Sequence, residues 1–211
     1  FNVLSNYPEQ APLRSQIAFA LYLIFGSRKT ELLSTKWKDI DFKSKELRFK
    51  PSKSSKDHMV WDIPDEVMPL FHILKLQSKG SSFIFPTAGK SSSGHLSENT
   101  LNAMLNKFFS EHKTKKVYFN NPLGEAGVQK FWIHDLRRTF GTLAANYGYS
   151  DEVIECCLSH NKEKIVSIYN HSDRRAKRKE IYQTMADKIL PLTGLEKKIE
   201  KYKEFFEIKA A

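Results

Sequence analysis

The residues best equipped for chemistry in this chain fall in four short strings. They are His134-Asp135-Leu136-Arg137, Leu158-Ser159-His160, Tyr169-Asn170-His171 and, far upstream, Gly26-Ser27-Arg28-Lys29-Thr30-Glu31. Arg28, Arg137, His134, His160 and Tyr169 form a set able to hold a phosphodiester and attack it. Guanidinium groups neutralise the charge that develops on phosphate oxygens, so such chemistry requires no metal.

Taken singly, each residue has a commonplace reading. Arg28, just past a glycine and ahead of a helical pattern, is placed to cap it or to pair with Glu31, and Arg137 to pair with a nearby carboxylate. Tyr169 alone reads as a core or rim aromatic. His134, His160 and His171 raise the question of zinc, but no two of them share the i, i+4 ligand spacing and no Cys or Asp/Glu completes a set, so no metal is expected.

The elements that must carry these residues follow from periodicity. Residues 12 to 25 are largely apolar and stop at Gly26, the pattern of a buried helix closed by a glycine. Leu32, Leu33 and Trp37 continue a second helical pattern after Arg28. Glu46 to Phe49 and Met59 to Ile63 read as strands of a hairpin around the polar turn Pro51–Asp57, which holds Lys53 and Lys56. Val67 to Leu76 is a helix pattern, Phe83 to Pro86 a brief extended run, and Ala88 to His95 a Gly/Ser/Lys loop. Ser97 caps a helix with Leu101, Met104, Leu105, Phe108 and Phe109 on its apolar stripe. His112 to Gly127 reads as irregular.

From Ile133 a core-facing period of Ile133, Leu136, Phe140, Leu143 and Ala144 places His134 and Arg137 as neighbours on its flank. Ser150-Asp151-Glu152 starts a helix reaching Leu158, and Ile165 to Tyr169 make a short one. A basic helix runs from about Arg174 to Leu190 and breaks at Pro191 and Gly194. Leu195, Ile199, Tyr202 and Phe206 continue at near-helical spacing. The expected fold class is mainly α with a small antiparallel β-sheet (α+β).

Bulk properties narrow the partner. Lys and Arg number 34 against 24 Asp and Glu, a formal charge of +10. That balance favours a polyanion such as nucleic acid. No apolar stretch is long enough to span a bilayer and no lipidation signal is present, so a membrane partner is not expected. The adjacent Cys156 and Cys157 read as buried and reduced, in keeping with a cytoplasmic protein. The chain opens on Phe1 rather than Met, as a domain excised from a longer protein would.

Order and spacing change the weight of the set. Residues 132 to 169 resemble the second signature box of the tyrosine recombinases, the phage-integrase family: His-x-x-Arg, then Leu-Gly-His or a variant, then a tyrosine. The family's first box, Gly-x-Arg-x-x-Glu with Leu-Leu and a Trp-x-Asp-Ile-Asp ending, is similar to Gly26–Leu33 followed by Trp37-Lys38-Asp39-Ile40-Asp41. Phe83-Ile84-Phe85-Pro86, Leu96–Asn102 and Val153-Ile154-Glu155 look most like the satellite-phage and genomic-island integrases. The likeness covers roughly residues 10 to 192, and Ser159 departs from the usual glycine.

That resemblance implies a tyrosine-recombinase catalytic domain fold over residues 1–192, a C-terminal tail over 193–211 that packs in cis or in trans, and an N-terminal core-binding domain absent from this chain. It implies a metal-independent DNA strand transferase without cofactors. Arg28, Arg137 and His160 would hold the phosphate, Tyr169 would attack it, and His134 would accept the phenol proton. Lys53, or Lys56 in the same turn, would protonate the leaving 5′ oxygen. Glu31 and Asp135 would orient arginines, while Arg138, Arg174 and Arg175 are candidates for DNA-backbone contact. Expected partners are a double-stranded DNA attachment site and further copies of the chain in a tetramer on DNA. The implied role is integration or excision of a mobile element. The rivals are a type IB topoisomerase, which shares this chemistry, and a non-catalytic DNA-binding module.

Overall fold

A computed structural model describes residues 1–49, 59–87, 93–113, 118–158 and 171–210. Its centre is a helix that is apolar all round. After a one-turn helix α1 (Asn2–Ser5), helix α2 (Leu13–Phe25) buries Ile17 through Tyr22 without interruption, together with Ile24 and Phe25. Such a helix is stable only when covered on every side. Its covers are α7 (Ile133–Asn146) and α9 (His171–Thr193), with α4 (Met68–Gln77) also in contact.

The sheet joins this core at the end of α2. Strands β1 (Ile40–Asp41), β2 (Glu46–Phe49) and β3 (Met59–Asp62) form one antiparallel sheet in that order. Leu47 opposes Trp61 and Phe49 opposes Met59, so these side chains share the core face. Phe25 stacks on Trp61 with ring centroids 4.8 Å apart and meets Tyr182 of α9 edge-on at 5.1 Å. One ring therefore ties α2 to both the sheet and α9. Glu46 and Asp62 oppose each other on the other face.

Short α3 (Lys29–Leu33) and a 3₁₀ turn (Trp37–Asp39) link α2 to β1. Helix α5 (Glu98–Phe108) starts as the sequence predicts, the Ser97 hydroxyl accepting from Asn99 N–H at 3.2 Å. Helix α8 (Asp151–Leu158) follows α7, and its Ile154, Cys157 and Leu158 are buried. Burial pushes the Cys157 thiol up to about 12, while Cys156 is only half-buried; both are free thiols.

The structure departs from the sequence reading in three places. The stretch expected to be irregular holds a second antiparallel pair, β4 (Glu111–Lys113) and β5 (Tyr118–Asn120), then α6 (Pro122–Glu125). Asn121 makes the corner, with φ +47° and its side chain accepting from Gly124 N–H. Helix α9 begins at His171 rather than near Arg174. It also runs through Pro191 instead of breaking there. Pro191 and Asp187, the residue whose carbonyl loses its helical donor, are both exposed.

The helix stops at Gly194 (φ +67°), where Thr193 Oγ1 accepts from Leu195 N–H. Helix α10 (Glu196–Ala210) then packs against α4 and α9. Leu195 and Ile199 are core residues, and Tyr202 packs against the core partly buried.

Candidate active site

The turn after α2 builds the first half of the site. Gly26 adopts φ +59° and closes α2 through its N–H to the Tyr22 carbonyl, 3.0 Å away. A β-carbon here would lie 2.5 Å from the Phe140 ring, so both conformation and space demand glycine. Arg28 precedes α3 and is bound twice by Glu31. Its N–H donates to Glu31 Oε2 at 2.8 Å and its Nη1 to Oε1 at 2.7 Å. Glu31 is buried (side chain 6 % exposed) while Arg28 is a third exposed. The carboxylate thus holds the arginine's orientation and leaves its rim open. Below the turn, Tyr22 Oη donates to the Lys29 carbonyl at 2.7 Å; burial first, then the charges of Glu98 and Glu31, raise its pKa well above the ordinary phenol value.

Helix α7 supplies the second half. Asp135 in its first turn accepts from Trp132 N–H at 2.8 Å, so its carboxylate fixes the start of the helix. It also meets Arg138 Nη1 at 3.3 Å. On this helix Arg137 is 5 % exposed and turned inward, whereas His134 and Arg138 face outward. Arg137 Nη1 donates to the Gly26 carbonyl at 2.7 Å and Nη2 to the Leu158 carbonyl at the end of α8. The fork therefore joins three elements: the α2 terminus, α7 and α8.

The electrostatics of Arg137 are informative. Its pKa is lowered, first by burial and next by the like charge of Arg28, with Glu31, Glu155 and Tyr182 acting in the opposite sense. The balance disfavours the guanidinium charge, so an anion brought beside Arg28 and Arg137 would be favoured there. At the start of α7, half-exposed Trp132 lies under Lys130 Nζ, 5.6 Å from its ring centroid.

The sequence-derived set divides in three. The structure brings Arg28, Glu31 and Arg137 together and places His134 on the first turn of the Arg137 helix. Arg175 lies elsewhere, bound by Asp62 and Glu46 on the sheet. Lys53, Lys56, His160 and Tyr169 fall outside the described residues, as does the side chain of Arg174. The two carbonyls that seat Arg137 were missed in the sequence. Gly26 belongs to the motif, yet nothing in residue types marks a backbone oxygen as a partner.

Among the described residues no three His, Cys, Asp or Glu side chains gather as a metal site would require, and no helix is long and apolar enough to cross a membrane. A cavity of about 670 Å³ opens on the outer side of the sheet, lined by Lys38, Asp41, Arg48 and Arg175 among others, but by neither Arg28 nor Arg137.

Known proteins share this arrangement of elements. The chain is 27% identical over 201 residues to the prophage integrase IntA of Escherichia coli K12, covering 88% of this chain and 44% of that protein. It is 28% identical over 178 residues to the integrase of Shigella phage Sf6, covering 82% and 41%. The chain thus spans less than half the length of these relatives. In fold it is similar to the Tn1549 transposon integrase in complex with transposon right end DNA (TM-score 0.54, 16% identity, 85% of this chain and 62% of that one). It is likewise similar to the integrase from mycobacterium phage Brujita (TM-score 0.53, 16% identity, 83% and 57%). The fold is that of a tyrosine-recombinase catalytic domain. With residues 2–176 matching the family pattern from before the Arg28 turn to beyond Arg175, the chain belongs to the phage integrase family.

Proposed function

We propose that this chain is the catalytic part of a site-specific DNA recombinase that cuts and rejoins strands through a 3′-phosphotyrosyl intermediate, integrating or excising a mobile element. The observation that carries the reading is the apposition of Arg28 and Arg137. Two like charges are held together, one of them buried, by chain segments more than a hundred residues apart. A phosphodiester offers two non-bridging oxygens to guanidinium groups so placed.

The chemistry then runs as follows. Arg28 and Arg137 hydrogen-bond the non-bridging oxygens, and their hold strengthens as charge builds there. His160 adds a further donor. The Tyr169 phenol oxygen attacks phosphorus while its proton passes to His134. The bond to the 5′ oxygen breaks, and that oxygen takes a proton from Lys53, or from Lys56. A phosphotyrosine bond replaces the phosphodiester, so a second strand's 5′ hydroxyl reverses the step without ATP. Exchange of four strands requires four nucleophiles, hence four copies of the chain on DNA. Arg174 and Arg138 would add contacts to the DNA backbone.

The test uses nicked duplexes of randomised sequence incubated with the intact protein. Adducts that survive SDS are recovered and sequenced, which also yields a cleavable site. The expected result is a covalent adduct that Tyr169→Phe abolishes. DNA retention without any adduct would instead identify a non-catalytic binding module. Relaxation of supercoils without strand exchange between two recovered sites would identify a topoisomerase.

A further inference from the structure

Two carboxylates face each other across the sheet. Glu46 and Asp62 are direct cross-strand partners, both nearly buried, and like charges so placed repel. Arg175 from α9 lies between them. Its Nη2 meets Glu46 Oε1 at 2.5 Å and Asp62 Oδ1 at 2.5 Å, and its Nε meets Asp62 Oδ2 at 3.1 Å. Arg48 takes the other Glu46 oxygen at 2.6 Å. These bonds hold Arg175 well above the ordinary guanidinium pKa, Asp62 contributing most and Glu46 next. They also tie α9 to both β2 and β3.

The placement along the chain gives this bridge its meaning. Arg175 stands six residues after Tyr169, while Glu46 and Asp62 flank the chain that carries Lys53 and Lys56. We propose that Arg175 is a positioning residue, resting on the function proposed above: by clamping Glu46 and Asp62 it fixes the chain that carries the nucleophile against the two strands that carry the general acid. Nucleophile and leaving-group acid act on opposite sides of one phosphorus atom. A misplacement of the general acid by about 1 Å slows the chemical step up to about 100-fold without loosening the bound DNA.

The experiment replaces the bridging 5′ oxygen of the recovered site by sulphur. A thiolate leaves without being protonated, so a defect in general-acid placement vanishes on the sulphur substrate while other defects persist. Single-turnover adduct formation and DNA affinity are measured for the intact protein, Arg175→Ala, Arg175→Lys, Lys53→Ala and Lys56→Ala. Arg175→Ala should slow cleavage about 10- to 100-fold on the oxygen substrate. It should recover most of that loss on sulphur and leave affinity within about twofold. Arg175→Lys, which keeps the charge and loses the fork, should fall between, and it carries the test if Arg175→Ala does not fold. Equal slowing on both substrates, an unchanged rate, or a loss confined to affinity would overturn the proposal. If neither lysine variant is rescued by sulphur, the general-acid assignment itself fails, and a sulphur rescue of the Arg175 variants would still report their effect on the leaving-group step.

Discussion

Arg137 and Arg175 are the same side chain put to opposite uses. Arg137 is buried and donates to two neutral backbone carbonyls, and its surroundings lower its pKa. Arg175 is 43 % exposed, is held by two carboxylates, and has its pKa raised. The carbonyl partners of Arg137 join the α2 terminus, α7 and α8, whereas the carboxylate partners of Arg175 join α9 to two strands of the sheet. If Arg137 meets the phosphate as proposed and Arg175 positions the chain, the two should fail in different ways when removed.

The sharpest way to break this contrast is to remove Arg137. Arg137→Ala should lower single-turnover adduct formation by at least about 100-fold, the usual loss for one donor to a developing oxyanion. It also leaves the Gly26 and Leu158 carbonyls without this donor, at about 1–3 kcal/mol for each one left unsatisfied. Arg137→Lys should regain much of the stability and little of the rate, because an ammonium cannot reach both carbonyls and fork onto a phosphate. Equal recovery of both would show that charge alone matters here.

The next effect is on the seat of Arg137. Gly26→Ala places a methyl 2.5 Å from the Phe140 ring in a left-handed conformation. The conformational cost is about 1–2 kcal/mol and the overpacking about 1–3 kcal/mol. Urea unfolding should therefore show a loss of about 2–5 kcal/mol. Combining it with Phe140→Leu should return part of the steric share only. A Gly26→Ala protein of normal stability would mean that the turn is less constrained than its geometry indicates.

How legible these two arginines were depends on distance along the chain. The Arg28–Glu31 pair lies within one helical turn, and His134 and Arg137 share another, so spacing made them neighbours and the resemblance to the two family boxes gave them a joint role. Even there, spacing put His134 and Arg137 together on one flank, while packing turned Arg137 inward and left His134 outside. Arg175 looked like part of a basic run because Glu46 and Asp62 are more than a hundred residues away, and cross-chain ion pairs leave no local pattern. Strands β4 and β5 are three residues each, too short for alternation to show. Leu47 and Phe49 alternate with Glu46 and Arg48, and a polar turn separates them from the Met59–Ile63 run, so the hairpin strands were found in the sequence.

The sheet cluster makes its own prediction, smaller and pH-dependent. Arg48 first, then Arg175, hold the Glu46 carboxyl below its ordinary value of 4.5. A depressed carboxylate stabilises the fold fully above its unfolded pKa, and the contribution is lost as pH falls through the lower folded value. Thermal melts should therefore show stability dropping as acid is added below about pH 4.5. Glu46→Gln should flatten that part of the curve. An unchanged acid limb in Glu46→Gln would show that the cluster contributes no net stability.

Arg138 supplies the smallest effect and the cleanest control. It sits next to Arg137 in sequence but is 76 % exposed, and its contact with Asp135 is 3.3 Å long. An exposed pair of this kind contributes about 0.2–1 kcal/mol, so Arg138→Ala should barely move the melting temperature. If its guanidinium meets a DNA phosphate, the variant should weaken binding to all duplexes alike and reduce the slope of log affinity against log salt by about one. The rate within the bound complex should stay the same, unlike that of Arg137→Ala. A slower chemical step at unchanged affinity would place Arg138 beside the reacting phosphate and erase the distinction between the inward and outward arginines of this helix.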